Sequence, residues 1–213
     1  ILDRKLRGLQ DQILLLGNLV EQTTLRIIDA LKARDVAAAK AIFLADDEIN
    51  SRRYAIENAI VIVMATQQPY AHDLRMLVGM LEINTELERM GDYSKGIAKI
   101  IMQLDNEEAW IPIDQLGKMA ELGVEMLHKA LGAFIAEDTN RASAIPLDDD
   151  NVDIIYENIY HDLIKQMIEN PEKIDLLNYS LWIAHNLERF ADRVTNICER
   201  TVYIATGETI ETA

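Results

Sequence analysis

Leu87-Glu88-Arg89-Met90-Gly91-Asp92 recurs one hundred residues later as Leu187-Glu188-Arg189-Phe190-Ala191-Asp192. Upstream, Asp46-Asp47-Glu48-Ile49-Asn50 recurs as Asp149-Asp150-Asn151-Val152-Asp153. Two motifs repeating in the same order make the chain an internal duplication. Around each motif apolar residues return every three or four positions, as in Met76, Met80, Ile83, Leu87, Met90, Ile97 and Ile101. That is the period of a helix with one buried face.

Breaks are sparse, since the 213 residues include nine glycines and four prolines. Six long helices fit between them, at roughly 3–33, 36–66, 69–104, 113–136, 138–169 and 172–206. Asp35 is placed to cap the second, Pro69 to open the third, and Gly207 to stop the sixth. Pro146 is expected to bend or interrupt the fifth. The clearest linker is Asp105–Pro112. The fold class that follows is all-α, two tandem three-helix bundles related by duplication, the first over 1–106 and the second over 111–213.

Composition bounds function. Apolar residues make up 49% of the chain, enough to bury a core. The formal net charge is −15, which excludes nucleic-acid binding through the overall field and suits cations or a basic partner. A single cysteine, Cys198, allows no internal disulfide and reads as a packing residue. The longest apolar run, Ala59 to Ala65, is far short of the ~20 residues of a membrane span, so no membrane insertion is expected. With no signal peptide in view, a cytoplasmic protein is expected; the chain opens at Ile1 rather than Met, so its native N-terminus is expected to lie upstream.

The acidic motifs carry the candidate chemistry. Glu88 and Asp92 are four apart and share a helix face, ~6 Å apart along the axis, as do Asp46 and Asn50. In an antiparallel hairpin folded at Pro69, Asp46 meets the height of Asp92 and Asn50 that of Glu88. The second copy, folded between Asn170 and Pro171, brings Asp149 level with Asp192 and Asp153 level with Glu188. Asn196 and Glu199 continue the second stripe. Carboxylates gathered at one height repel, and a hard divalent or trivalent cation with oxygen ligands removes that cost. Fe, Zn, Mn or Mg suits such a donor set. The acidic residues lie nearly opposite the apolar stripe, where a solvated face would also put them. The duplication and the matched heights favour a metal site, placed on the outer wall of each bundle.

Other signals carry less. Glu125-x-x-His128 occurs once, whereas a di-iron bundle needs two copies, so it reads as incidental. Asp73 and Asp175 suit first turns of helices. Leu74, Leu77, Val78 and Leu81 form a second apolar face, either bundle core or a contact with a partner or a second subunit, a homodimer included. A carboxylate-bridged metal enzyme, oxidoreductase or hydrolase, and a metal-free helical adaptor are the alternatives to a metal-binding adaptor.

At these motifs, together with Pro69-Tyr70-Ala71-His72-Asp73-Leu74-Arg75 and the tail Asn196-Ile197-Cys198-Glu199-Arg200-Thr201-Val202-Tyr203, the chain resembles the PhoU family over nearly its whole length. The resemblance implies two three-helix bundles with metal clusters on the acidic motifs, and no enzymatic activity. It implies regulation of phosphate uptake and of the phosphate-starvation response from the cytosol. It further implies two partners, the ATPase of the phosphate ABC transporter and a membrane sensor histidine kinase. The copies depart from one another. Gly96 and Lys99 stand where the second has Asn196 and Glu199, and Asn50 stands where it has Asp153. A lysine is unfavourable beside a cation, so the second cluster is expected to be the stronger site.

Overall fold

The structure, a computed structural model, describes residues 1–104 and 110–209. Helix α1 spans Leu2–Ala33, α2 Val36–Gln67, α3 Ala71–Leu104 and α4 Ile113–Ala136. The short α5, Thr139–Ala144, leads through a 3-10 turn at Ile145–Asp148 into α6, Asp149–Glu169. A second 3-10 turn, Pro171–Lys173, precedes α7, Ile174–Thr206. There is no strand among the described residues, and none of the helices there is long and apolar enough to cross a membrane. Residues 105–109 of the expected linker, and with them the boundary drawn at 106, lie outside the described residues.

Local chemistry sets the ends. Asp35 accepts the amide of Ala38 at 2.9 Å, and Asp138 accepts that of Arg141 at 3.0 Å, so the two copies cap alike. Before each cap stands a residue with positive φ, Arg34 at 51° and Glu137 at 50°. The amides of Asp35 and Asp138 reach back to the carbonyls of Ala30 and Ala133, each at 2.9 Å, the bond of a Schellman corner. Pro146 interrupts its helix as expected, since it has no amide to give to the helical ladder. Pro69 differs from expectation. It sits in the break ahead of α3, which begins at Ala71, because Gln68 takes a left-handed conformation and ends α2 there. Gly207, with φ 79°, closes α7.

Each bundle buries its apolar stripes against its own neighbours. Helix α2 packs on α1 and α3, and α6 packs on α4 and α7, so α2 and α6 are outer helices. The most extensive contact between elements is α3 with α7, and α1 also meets α4, so the bundles join through four central helices. Helices α3 and α7 run antiparallel along a seam. Glu82 pairs with Arg200, the Arg189 guanidinium stands 5.4 Å over the Tyr93 ring, and Gly96 faces Asn186. These pairs are symmetric about the level of Gly91 and Ala191, equivalent residues of the two copies. At the far end Arg75 Nε donates to the Ile204 carbonyl at 3.3 Å, a cation at the negative end of α7. Beside it His72 Nε2 and Glu137 Oε2 are 2.6 Å apart. The Pro69–Arg75 segment thus helps to join the bundles. Of the second apolar face, Leu77 is fully buried and Leu74 stays exposed.

Candidate metal centre

Both acidic clusters lie between an outer helix and a central one. In the first, α2 approaches α3 closely because Gly91 has no side chain; a Cβ there would stand 2.9 Å from Ile49 Cδ1. That approach brings Asp46, on the buried stripe of α2, to Glu88 and Asp92. Asp46 is only 4% exposed, so this cluster is a cleft between two helices rather than an open wall. Asp92 remains exposed, as the helical phase predicts.

The two clusters differ in charge. In the first, Lys95 Nζ stands 2.7 Å from Asp46 Oδ2, and Asn50 Nδ2 donates to the same oxygen at 2.8 Å. Partial burial raises the Glu88 carboxyl above its ordinary range; Asp92 and Asp46 add to this and Arg53 opposes it. Asp92 is raised too, by burial and then by Asp46, with Lys95 opposing. The cation that stands against Asp46 and Asp92 is therefore Lys95. Lys99, four residues on, is exposed.

In the second cluster no cation opposes the shift of Asp149. Its carboxyl is pushed up to about 7, first by burial and then by Asp153, Asp192, Glu188 and Asp150. Glu188 is raised by burial, Asp192 and Asp153, with Arg189 opposing. Asp153 is raised by burial, Asp150, Glu157 and Asp192. The mutual shifts place all four expected carboxylates within one electrostatic neighbourhood. Asp149 Oδ1 and Glu188 Oε2 are buried with no hydrogen-bond partner. His185 Nδ1 stands 3.6 Å from Glu188 Oε2, beyond hydrogen-bond range. Burial, then Arg189, holds His185 below its ordinary value, favouring the neutral ring.

Two other expected residues are placed elsewhere. Asn196 turns into the seam between bundles, donating to Glu86 Oε2 at 3.0 Å. Glu199 lies seven residues beyond Asp192, ~10 Å further along α7. Among the described residues, no three His, Cys, Asp or Glu side chains already converge on one point. Like charges repel, and a cation would relieve that repulsion. The oxygen donors and the two orphaned buried oxygens fit a metal at Asp149, Asp153, Glu188 and Asp192. The first cluster fits one poorly, because Lys95 and Asn50 already occupy Oδ2 of its most buried acid and Lys95 brings a positive charge.

Elsewhere, Glu125 pairs with Lys129 at 2.9 Å and His128 turns to Glu21 at 3.5 Å, so Glu125-x-x-His128 forms no joint site. Cys198 is buried, and burial with Glu199 pushes its thiol up to about 12, which leaves it unreactive. Sequence reasoning missed Lys95 and the seam around Glu86. The period of α3 carried a signal for the seam, since Arg75, Gly79, Glu82, Glu86, Arg89, Tyr93 and Gly96 alternate steps of four and three.

A family model described as PhoU domain matches the chain twice, over residues 13–101 and 116–201. The phosphate-specific transport system accessory protein PhoU homolog of Clostridium acetobutylicum is 32% identical over 99% of this chain and 97% of its own. That of Streptococcus pneumoniae is 35% identical over 98% and 97%. PhoU of Escherichia coli is 31% identical over 96% and 85%. The crystal structure of the phosphate transport system regulatory protein PhoU from Streptococcus pneumoniae superposes with a TM-score of 0.92, at 34% identity and full coverage of both chains. PhoU from Pseudomonas aeruginosa superposes at 0.91, with 28% identity over 98% of this chain and all of that one.

Proposed function

The chain belongs to the PhoU family, and from that premise we propose that it is a cytoplasmic, metal-binding regulator of phosphate uptake and of phosphate-starvation signalling. Its relatives are named as accessory and regulatory proteins of phosphate transport, which makes a regulatory rather than an enzymatic role the family's own. The observation that carries the reading is the match of the family model to both halves of the chain. The proposed partners are the ATPase of the phosphate transporter and a membrane sensor histidine kinase. An acidic surface on a rigid helical frame suits an adaptor that meets basic patches on other proteins.

Metal binding is assigned to Asp149 and Asp153 of α6 with Glu188 and Asp192 of α7. The support is the pair of orphaned oxygens and the absence of any opposing cation at Asp149. A bound Fe, Zn, Mn or Mg ion would supply the positive charge that lets all four carboxylates ionise together. The residues then tie the outer helix α6 to the central α7, which continues into the seam with α3. Deleting the gene in its host tests the regulatory role. Phosphate uptake in phosphate-rich medium should escape restraint, and uptake that stays restrained would contradict the assignment.

A further inference from the structure

The duplicated clusters descend from one unit, and three of the aligned positions at which they differ bear on the charge around the carboxylates. Asn50 stands where the second copy has Asp153, Arg53 where it has Tyr156, and Lys95 where it has Thr195. Each change makes the first cluster more positive. Thr195 turns its hydroxyl away, onto the Asp192 carbonyl at 2.7 Å, and brings no counter-charge to Asp149. Lys95 does the opposite. From α3 it reaches α2, sets its ammonium 2.7 Å from Asp46, and rests 5.3 Å from the centre of the Phe43 ring. Asp92 and Asp47 face the same ammonium, while Arg26 of α1 lines the cleft beside it. Asp46 is the most buried carboxylate of either cluster and its Oδ2 receives both Lys95 and Asn50, whereas its counterpart Asp149 keeps an orphaned oxygen.

We propose that the Lys95 ammonium is the resident cation of the first cluster, a tethered substitute for a metal ion, so that the first bundle closes its outer helix without metal and only the second cluster takes one. The two halves then divide the work. The first is a constitutively closed bundle, and the second is the half whose outer helix answers to a metal. This rests on the metal reading of the second cluster for its functional meaning, but the claim about Lys95 is tested separately.

The experiment rebuilds the first cluster in the image of the second. Full-length protein carrying Lys95→Thr and Asn50→Asp is compared with wild type by equilibrium dialysis against Mn²⁺. The double variant should bind at least one Mn²⁺ more than wild type, and the surplus should vanish when Asp46→Asn is added. Asp46→Asn alone, in the wild-type background, should leave Mn²⁺ binding unchanged. No surplus in the rebuilt variant would overturn the proposal, as would loss of Mn²⁺ on Asp46→Asn alone. If the rebuilt variant does not fold, Asp46→Asn in the wild-type background decides. A wild type that binds no Mn²⁺ beside a rebuilt variant that does would support the role of Lys95 and sink the second-cluster reading. A wild type that binds Mn²⁺ only through Glu188 and Asp192, beside a rebuilt variant with no surplus, would do the reverse.

Discussion

Arg193 Nε donates to the hydroxyl of Tyr93 at 3.1 Å, and the two residues stand one hundred positions apart, at equivalent places in the two copies. The contact across the seam is thus a contact between a position and its own duplicate. Glu86 sits at its centre, 3.3 Å from Arg89, 3.4 Å from Arg193 and 3.0 Å from Asn196. Glu86→Ala leaves a half-buried guanidinium without its carboxylate, at a cost of about 1–3 kcal/mol. Thermal unfolding should show a fall of roughly 2–4 °C per kcal/mol for a chain of this size. An unchanged midpoint would mean that the seam does not couple the bundles.

Gly91 sets the distance between α2 and α3 at the first cluster. Gly91→Ala should cost no more than about 1 kcal/mol, because both Ile49 methyls it meets, Cδ1 at 2.9 Å and Cγ2 at 3.2 Å, must give way, which offsets the roughly 1 kcal/mol that alanine gains in helix propensity. Gly91→Leu should cost about 1–3 kcal/mol through overpacking. Paired chemical denaturation curves would separate the two; equal stabilities would show that the helices are not in close contact there.

The second cluster makes the metal-free protein sensitive to pH. The folded Asp149 carboxyl titrates at about 7, above the ordinary 3.8, so its contribution is present at low pH and is lost as pH rises toward and through 7. Asp149 is half-buried, so solvent screening keeps the effect on the order of 1–2 kcal/mol. Protein stripped of metal should therefore melt several degrees lower at pH 8 than at pH 5.5. Asp149→Asn should flatten that dependence. A wild type with the same midpoint at both pH values would show that Asp149 is not held above its ordinary range.

The elements themselves were largely legible in the sequence, because their signals are local. Asp35 caps where expected, Pro146 interrupts where expected, and Gly207 closes α7. The approach of Asp46 to Asp92 was also legible, since an antiparallel hairpin fixes height by counting residues. Rotation about the helix axis is not counted that way. It decides that Lys95 rather than Lys99 enters the first cluster, and that Asn196 leaves the second for Glu86. The corners at Arg34 and Glu137 were hidden for another reason. Neither is glycine, and each takes a left-handed conformation that its side chain does not favour, within a corner closed by the backbone bonds of Asp35 to Ala30 and Asp138 to Ala133.

The most direct measurement is the metal content of protein purified without a polyhistidine tag, wild type against Glu188→Ala with Asp192→Ala. The wild type should retain an oxygen-ligated transition metal or magnesium, and the double variant should lose most of it while keeping its helical circular dichroism. Equal metal in the two proteins, or none in the wild type after growth in metal-replete medium, would contradict the assignment of the second cluster.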